Sequence, residues 1–318
     1  MFGAQNKLHV VLGATGGIGR AVVDELILQG IPVRAINFSG KQGTLPKSVD
    51  LYAADCTDYR QLESVCQGAA VVYNCLNVEY AGWFDFFPQI TKNLITLTQR
   101  TGVKIVVADN LYMYGENSVM PLSESSPMLA KDRKGQLRIG MSNLYSEAMA
   151  EGSKITVGRG GDYFGPYAEK SSLGGTLFKQ ALENKTIALL GNINTKHSFI
   201  YTKDFARGLV TLGTNNSANG QVFHLPCDKQ VTTKEFVDQT KTTAQSQSKI
   251  LVIGKTSAKI LSLFIPILKE VLKIWYQFEY PFYVDYSKFQ KYFPGVKVTL
   301  HHQAIAETLD WYRQKYSL

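Results

Sequence analysis

Cysteine is scarce in this chain, whose 318 residues include only Cys56, Cys66, Cys75 and Cys227. None of them forms a CxxC pair or has a regularly spaced histidine partner. The sequence therefore predicts no zinc site and, in a chain this long, no disulfide framework. Charged residues make up 19% and apolar residues 45%, which is close to globular usage and excludes disorder or a coiled coil as a description of the whole chain.

Long hydrophobic runs are lacking as well. The first apolar run, residues 8–12, leads directly into glycines, and the longest charge-free run in the apolar stretch near the C-terminus is residues 260–268. A helix that spans a bilayer needs about 20 apolar residues. The sequence therefore predicts no signal peptide and no integral membrane segment, and we expect a soluble, cytoplasmic protein.

Acidic residues are outnumbered, since 34 basic residues face 26 acidic ones and give a net charge of +8. Residues 241–300 carry nine lysines and three acidic residues, so this segment supplies 9 − 3 = +6 of the excess. A solvated lysine-rich face is the plain interpretation, and an anionic substrate or an anionic membrane surface are the functional ones. Because the chain has no recognisable binding module and no arginine cluster, we expect no nucleic-acid partner.

The first half of the chain contains a regular alternation of two patterns. Apolar runs typical of strands lie at residues 8–12, 32–36, 49–53, 70–75 and 104–108, and helical patterns lie at residues 18–29, 58–67 and 84–100. This alternation predicts an α/β fold, a doubly wound parallel sheet of the Rossmann type. We place this domain at residues 1–160, with returning segments around 197–225, and a smaller C-terminal lid mainly at residues 161–318.

A glycine-rich turn lies between the first strand and the first helix. Its residues are Gly13, Thr15, Gly16, Gly17, Ile18 and Gly19. Gly13 permits a tight turn, Gly16 lets the backbone approach a pyrophosphate, and Gly19 lets the helix pack close to the strand. The helix N-terminus adds positive potential for the phosphates, so the sequence predicts a dinucleotide site here.

Besides the glycine-rich turn, several short segments spread along nearly the whole chain match segments of one superfamily. They are Asp55-Cys56, Asn74-Cys75-Leu76, residues 110–115, residues 159–166 and residues 197–204. Together with the GxxGxxG spacing they resemble the short-chain dehydrogenase/reductase superfamily in its extended, sugar-epimerase-like form. The resemblance implies that Asp55 and Cys56 lie beside the adenine ring. The residues it implies along the rest of the cofactor are Asn74, Cys75, Leu76, Ala108, Lys134, Gly161 and Tyr163.

The end of the second strand bears on the choice of cofactor. Asn37 stands where NAD-preferring members of the superfamily have an acidic residue, and Ser39 and Lys41 follow it. The missing carboxylate removes repulsion against a 2′-phosphate, to which Ser39 and Lys41 could donate. These residues favour NADP, with NAD as the alternative, although Ser39 and Lys41 equally fit an ordinary loop.

The usual catalytic Tyr-x-x-x-Lys pair of the superfamily is missing. Asn110 occupies the serine position, and the expected spacing leads to Lys134, with Arg138 four residues on. This pattern resembles the isoflavone-reductase-like branch, in which a lysine replaces the tyrosine. Lys134 is thus a candidate proton donor if burial and neighbouring positive charge lower its pKa; otherwise it is a solvated residue in a charged turn. Tyr112 is the second candidate, with packing in an aromatic loop as the alternative, and Asn110 either bonds a substrate oxygen or caps the loop.

These observations favour an NADP-dependent oxidoreductase that reduces a carbonyl or a conjugated double bond. Apolar residues at helical spacing between residues 257 and 277 predict helices that are mostly core and that cover the cleft, which favours an apolar or aromatic small-molecule substrate. The alternatives are a nucleotide-sugar epimerase or dehydratase and a non-catalytic NAD(P)-binding regulator. The sequence leaves a homodimer open.

Overall fold

The computed structural model describes residues 7–318 and contains one large parallel sheet flanked by helices. Its strands are β1 (His9–Leu12), β2 (Val33–Asn37), β3 (Asp50–Ala53), β4 (Val71–Asn74), β5 (Lys104–Asp109), β6 (Ile155–Arg159), β7 (Asp162–Phe164), β8 (Ile187–Leu190), β9 (Lys196–His197), β10 (Phe199–Tyr201), β11 (Gln221–His224), β12 (Val231–Thr232) and β13 (Ile250–Ile253).

Helices follow most of these strands. They are α1 (Gly17–Leu28), α2 (Tyr59–Val65), α3 (Trp83–Thr101), α4 (Arg133–Ala150), α5 (Phe178–Leu182), α6 (Thr202–Thr214), α7 (Thr233–Ala244), α8 (Lys255–Leu261), α9 (Pro266–Leu272), α10 (Tyr276–Glu279), α11 (Ser287–Tyr292) and α12 (His301–Tyr316). Short 3-10 helices lie at Tyr80–Gly82 and Asn216–Ala218.

The central sheet has the strand order β11-β6-β5-β4-β1-β2-β3, and every neighbouring pair in it is parallel. The order reverses between β1 and β4, where ligands bind in doubly wound sheets. The predicted fold class is therefore confirmed.

Side-chain alternation explains why the strands read as apolar runs. Val11 packs on one face among residues of α1 and α6, whereas Val10 packs on the other among residues of α2, α3 and α4. Both faces are covered in the middle of the sheet, so successive residues of β1, β4 and β6 are buried and these strands show no polar alternation.

The remaining elements form a smaller layer. α5, α7 and α12 pack together around a cluster that includes Phe164, Phe178, Phe236 and Tyr312. The segment at 197–225 sends α6 against α1 and adds β11 to the central sheet. The domain boundary after residue 160 stays a prediction.

The apolar stretch after residue 257 differs from its prediction as mostly core. Leu268 and Trp275 are buried, but Phe264 is 80% exposed and the neighbouring Leu263 is 74% exposed. The stretch breaks into separate short helices at Pro266, so its apolar residues do not share one inward face. Within residues 7–318, no helix is long and apolar enough to cross a membrane.

Candidate functional site

The glycine-rich turn has the geometry of a phosphate site. Gly13 has a φ of 75°, and a Cβ there would lie 2.6 Å from the carbonyl oxygen of Cys75; a Cβ at Gly19 would lie 2.2 Å from that of Gly13. Packing therefore requires both glycines. Gly16 has a φ of −75°, and the atom nearest to a Cβ added there would be the carbonyl oxygen of Gly13, at 3.4 Å. Neither backbone conformation nor packing therefore requires glycine at this position. The open side of Gly16 fits a bound pyrophosphate.

The neighbouring loops border this turn. A Cβ at Gly43, in the loop after β2, would lie 3.6 Å from the methyl carbon of Thr15, and one at Gly17 would lie 3.0 Å from the carbonyl oxygen of Tyr167. Ile18 packs against the sheet. The first turn of α1 contains no acidic side chain, so nothing there opposes an anion.

Most of the other predicted cofactor residues lie at the carboxyl edge of the sheet. Strand register sets Leu12 beside Asn74 and Asn74 beside Val107, which brings the ends of β1, β4 and β5 together. The Asn74 side chain accepts a hydrogen bond from the Leu76 N–H at 3.3 Å. Cys75, Leu76, Ala108, Gly161 and Tyr163 are all partly exposed at this edge.

Asp55 and Asn37 lie at the ends of β3 and β2. One Asp55 carboxylate oxygen accepts from the N–H and hydroxyl of Thr57 at 2.9 and 2.6 Å, while the following Cys56 is buried. The Asn37 amide donates to the carbonyl oxygen of Lys41 at 2.9 Å and accepts from the N–H of Gly40 at 2.6 Å. Asn37 thus shapes the loop, and Ser39 and Lys41 are exposed on it.

Lys134 is buried, with 1% of its surface exposed, so the interpretation of a solvated turn residue is wrong. Its Nζ lies 2.9 Å from a carboxylate oxygen of Glu270 in α9, donates to the Glu270 carbonyl oxygen at 3.1 Å and lies 3.5 Å from the ring centre of Tyr80. The reason is tertiary, because α9 covers the first turn of α4.

The charge state of Lys134 reflects opposing effects. Burial lowers the pKa of Lys134, the Glu270 carboxylate raises it, and the nearby Lys273 lowers it further. The pKa of Glu270, which its own burial raises, is lowered overall by hydrogen bonds from Lys273 and Lys134. Burial and neighbouring positive charge, the two causes considered from the sequence, thus both lower the pKa of Lys134, and the positive charge comes from Lys273.

Tyr112 joins Lys134 through Tyr80. The hydroxyl oxygens of Tyr80 and Tyr112 are 3.1 Å apart, and the Tyr112 ring stacks on Trp83 with ring centres 5.9 Å apart. Burial raises the pKa of both phenols, so each keeps its proton and can donate a hydrogen bond. The Asn110 side chain accepts a hydrogen bond from the Tyr112 N–H at 3.1 Å. Of the two roles considered for Asn110, this contact corresponds to capping the loop.

Asp162 at the start of β7 adds a carboxyl group to the same region. Its charge acts on Tyr80, Tyr112 and Tyr163, raising the pKa of each. Burial raises the pKa of Asp162 itself to about 6, against a hydrogen bond from Ser172 that lowers it. Sequence reasoning gave no role to Asp162 and missed Tyr80 and Glu270, because no spacing in the sequence links them to Lys134.

Arg138 belongs to a buried ionic network under the site. Its guanidinium donates to Asp109 at 3.1 Å and packs 4.2 Å from the ring centre of Phe87. Arg159 lies 3.5 Å from the other Asp109 oxygen and donates to Ser142 at 2.9 Å. Asp109 therefore ties the ends of β5 and β6 to α4.

His224 and His197 are both buried. His224 has no exposed surface, and its Nε2 lies 2.6 Å from the Tyr114 hydroxyl, to which Arg159 donates. His197 is buried and stacks on Phe199. Burial lowers the pKa of each histidine to about 4, so both are neutral at neutral pH.

Structural comparison finds the same architecture in solved structures of an epimerase and a dehydratase. An epimerase from Methanothermobacter thermautotrophicus, Mth375, has a TM-score of 0.83 at 13% identity, covering 99% of this chain and 94% of that one. A dTDP-glucose 4,6-dehydratase from Bacillus anthracis, solved in complex with NAD, has a TM-score of 0.81 at 16% identity, covering 98% of each chain. At these identities the similarity shows the fold alone.

Sequence comparison finds distant relatives, among them a sugar-nucleotide decarboxylase. UDP-glucuronic acid decarboxylase 1 of Xenopus tropicalis is 21% identical over 230 residues, which are 66% of this chain and 54% of the decarboxylase. The chain thus spans about half the length of that relative. The model of the NAD dependent epimerase/dehydratase family matches residues 9–225, more than half of the chain, and includes the glycine-rich turn, Tyr112 and Lys134. The chain belongs to the NAD dependent epimerase/dehydratase family.

Proposed function

We propose that this chain binds a nicotinamide dinucleotide at the Gly13–Gly19 turn and modifies the sugar of a sugar nucleotide. One observation carries the proposal: Lys134, Tyr80 and Tyr112 meet at the carboxyl edge of the sheet, at the end of β5 and the start of α4. The relatives named for UDP-glucuronic acid and dTDP-glucose support the substrate class. They favour it over reduction of an apolar substrate, which the sequence had suggested.

The residues of the proposed site have different roles. The nicotinamide, when bound, supplies a hydride acceptor and donor. We assign proton transfer to Nζ of Lys134, whose pKa burial lowers, and orientation of a sugar oxygen to the Tyr112 hydroxyl, which keeps its proton. A lysine in the place of the usual tyrosine is the isoflavone-reductase-like feature of the proposal. Glu270 lies directly over Lys134, so α9 must shift for substrate to reach Nζ.

A non-catalytic dinucleotide-binding role is the second candidate, and a separate observation favours it. Nζ of Lys134 is already engaged by Glu270 and by the Tyr80 ring, and the Tyr112 hydroxyl is engaged by Tyr80. In such a protein the residues around Lys134 would hold the layers together, and the dinucleotide would be a regulatory ligand.

Turnover measurements separate the two candidates. The purified chain is incubated with NAD or NADP and with UDP-glucuronic acid or dTDP-glucose, and the sugar products are followed by NMR. We expect a keto, epimerised or decarboxylated sugar. Dinucleotide binding by calorimetry without conversion across a wider panel of sugar nucleotides would favour the regulator, and absence of dinucleotide binding would refute both candidates.

The position of Lys41 predicts a preference for NADP over NAD. Lys41 is exposed in the loop after β2, and the last residue of β2 is Asn37 in place of an acidic residue that would repel a 2′-phosphate. NADPH should therefore bind more tightly than NADH in calorimetric titration. Lys41→Ala should narrow the difference, whereas Lys47→Ala, at an exposed lysine farther along the loop, should leave it unchanged. Tighter NADH binding by the unmodified protein would contradict the prediction.

A further inference from the structure

The two short helices α8 and α9 form a hairpin, residues 255–272, with an unusual outer surface. Leu263 and Phe264 at its turn are 74% and 80% exposed. The other exposed apolar side chains of the hairpin are Ile260, Ile265 and Ile267. Contiguous apolar surface of this kind marks a site of interaction.

The turn of the hairpin is ordered and anchored on its inner side. The N–H groups of Phe264 and Ile265 both donate to the Leu261 carbonyl oxygen, at 3.0 and 2.9 Å. Ala258 and Leu268 are buried on the inner side, where Glu270 also binds Lys134. The exposed apolar residues are therefore held outward by the structure of the hairpin.

Positive charge surrounds these apolar residues. Lys255 and Lys259 lie on α8 and Lys269 on α9, all three exposed and, within residues 7–318, without an ion-pair partner. Glu270 is the one acidic residue between Gly254 and Trp275, and it is already paired with Lys134 and Lys273. The hairpin thus presents apolar side chains within a cationic rim.

We propose that the α8–α9 hairpin docks this chain on the surface of an anionic lipid bilayer. Leu263 and Phe264 would enter the boundary between headgroups and acyl chains, and Lys255, Lys259 and Lys269 would lie among the headgroups, as in interfacial helices with apolar and basic faces. A second copy of the chain fits less well, because a two-fold contact through this patch would place the cationic rim of one copy against that of the other.

Vesicle co-sedimentation tests the proposal. The full chain is mixed with vesicles of phosphatidylcholine alone or of phosphatidylcholine with phosphatidylglycerol, at low and high salt. We expect binding to the anionic vesicles, weakened by salt. Leu263→Ser/Phe264→Ser should lower the partition coefficient at least about tenfold through lost apolar burial. Lys255→Gln/Lys259→Gln/Lys269→Gln should lower it by roughly fivefold per lysine.

Matched variants separate the hairpin from general surface properties. Leu28→Ser/Val119→Ser removes two apolar residues that are 80% and 83% exposed elsewhere, and Lys47→Gln/Lys92→Gln/Lys291→Gln removes the same charge from other exposed sites. Both control variants should bind like the unmodified chain. Absence of binding to anionic vesicles would overturn the proposal, as would equal losses in the control variants. So would a dimer that Leu263→Ser/Phe264→Ser dissociates, if no vesicle binding is seen.

Discussion

Gly16 is the residue whose substitution best separates dinucleotide binding from folding. Its φ of −75° and ψ of 163° suit valine, and an added Cβ would meet nothing closer than 3.4 Å. Gly16→Val should therefore fold normally, yet lose dinucleotide binding in calorimetry, because the side chain would occupy the place of the pyrophosphate. Gly140→Ala, at an open position in α4, is the matched control. Unchanged affinity in folded Gly16→Val would remove the basis for a dinucleotide site here.

Lys134 offers a test of catalysis at the residue scale. Methionine matches the length of the lysine stem, so Lys134→Met should leave dinucleotide affinity nearly unchanged. It should lower turnover of the sugar nucleotide by about 100-fold or more, the usual effect of losing a positioned general acid or base. Lys134→Arg should restore little activity, because a guanidinium does not readily release its proton. Turnover of Lys134→Met at the unmodified rate would exclude Nζ from the reaction.

Glu270 supplies the readout that separates proton transfer from a structural role. Its carboxylate raises the pKa of Lys134. Glu270→Gln should therefore lower the pKa of Lys134 and move the limb of the pH–rate profile that reports this group to lower pH. If this limb stayed at the same pH and only the rate changed, Lys134 would have a structural role.

At the scale of elements, Asp109 joins β5 to α4 and β6 through buried Arg138 and Arg159. Asp109→Ala leaves both guanidinium groups buried without their carboxylate, which should cost about 3–5 kcal/mol of the free energy of unfolding. The comparison is Asp238→Ala, which removes the exposed 2.5 Å ion pair with Lys234 and should cost at most about 1 kcal/mol. Urea denaturation measures both, and similar costs would show that the Asp109 network contributes little.

The sequence predicts elements well where the signal is local. β1, β4 and β5 are buried on both faces, so they read as apolar runs, and the glycine turn is specified by neighbouring residues. The α8–α9 hairpin shows the limit. Its apolar spacing is helical, but spacing alone does not reveal that Leu263 and Phe264 lie in a turn facing outward, because the direction depends on what the inner side contacts.

At the scale of the whole molecule, the candidate site is assembled from segments far apart in the chain. Tyr80, Tyr112 and Asp162 follow or adjoin three different strands, and Glu270 reaches Lys134 across 136 positions. The family pattern located Lys134 and Tyr112, because both lie at fixed distances from β5. It gave no information on Glu270, since α9 lies outside the matched residues 9–225.

The whole fold also carries a predicted dependence on pH, through the buried histidines His9, His197 and His224 and, in the same direction, through His301, whose pKa burial also lowers. Burial is the main cause that lowers the pKa of each of the first three to about 4, from an ordinary value of 6.5. The folded state therefore favours neutral histidine, and the stability this gives is complete above about pH 6.5 and is lost as the pH falls toward 4. Between neutral pH and pH 5, each of these three histidines should lower the free energy of unfolding by about 2 kcal/mol. Asp162, with a pKa of about 6, should raise it by only about 1 kcal/mol over the same range.

The free energy of unfolding, measured by urea denaturation from pH 7.5 to pH 5, should therefore fall by several kcal/mol, since the three histidines outweigh Asp162. His9→Gln removes one of these histidines and should reduce the slope of the free energy of unfolding against pH, whatever its effect on stability at pH 7.5. His302→Gln, at an exposed histidine, should leave the slope unchanged. A free energy that stays constant between pH 6.5 and pH 5 would contradict the prediction, because burial of neutral imidazoles in the folded state requires that loss.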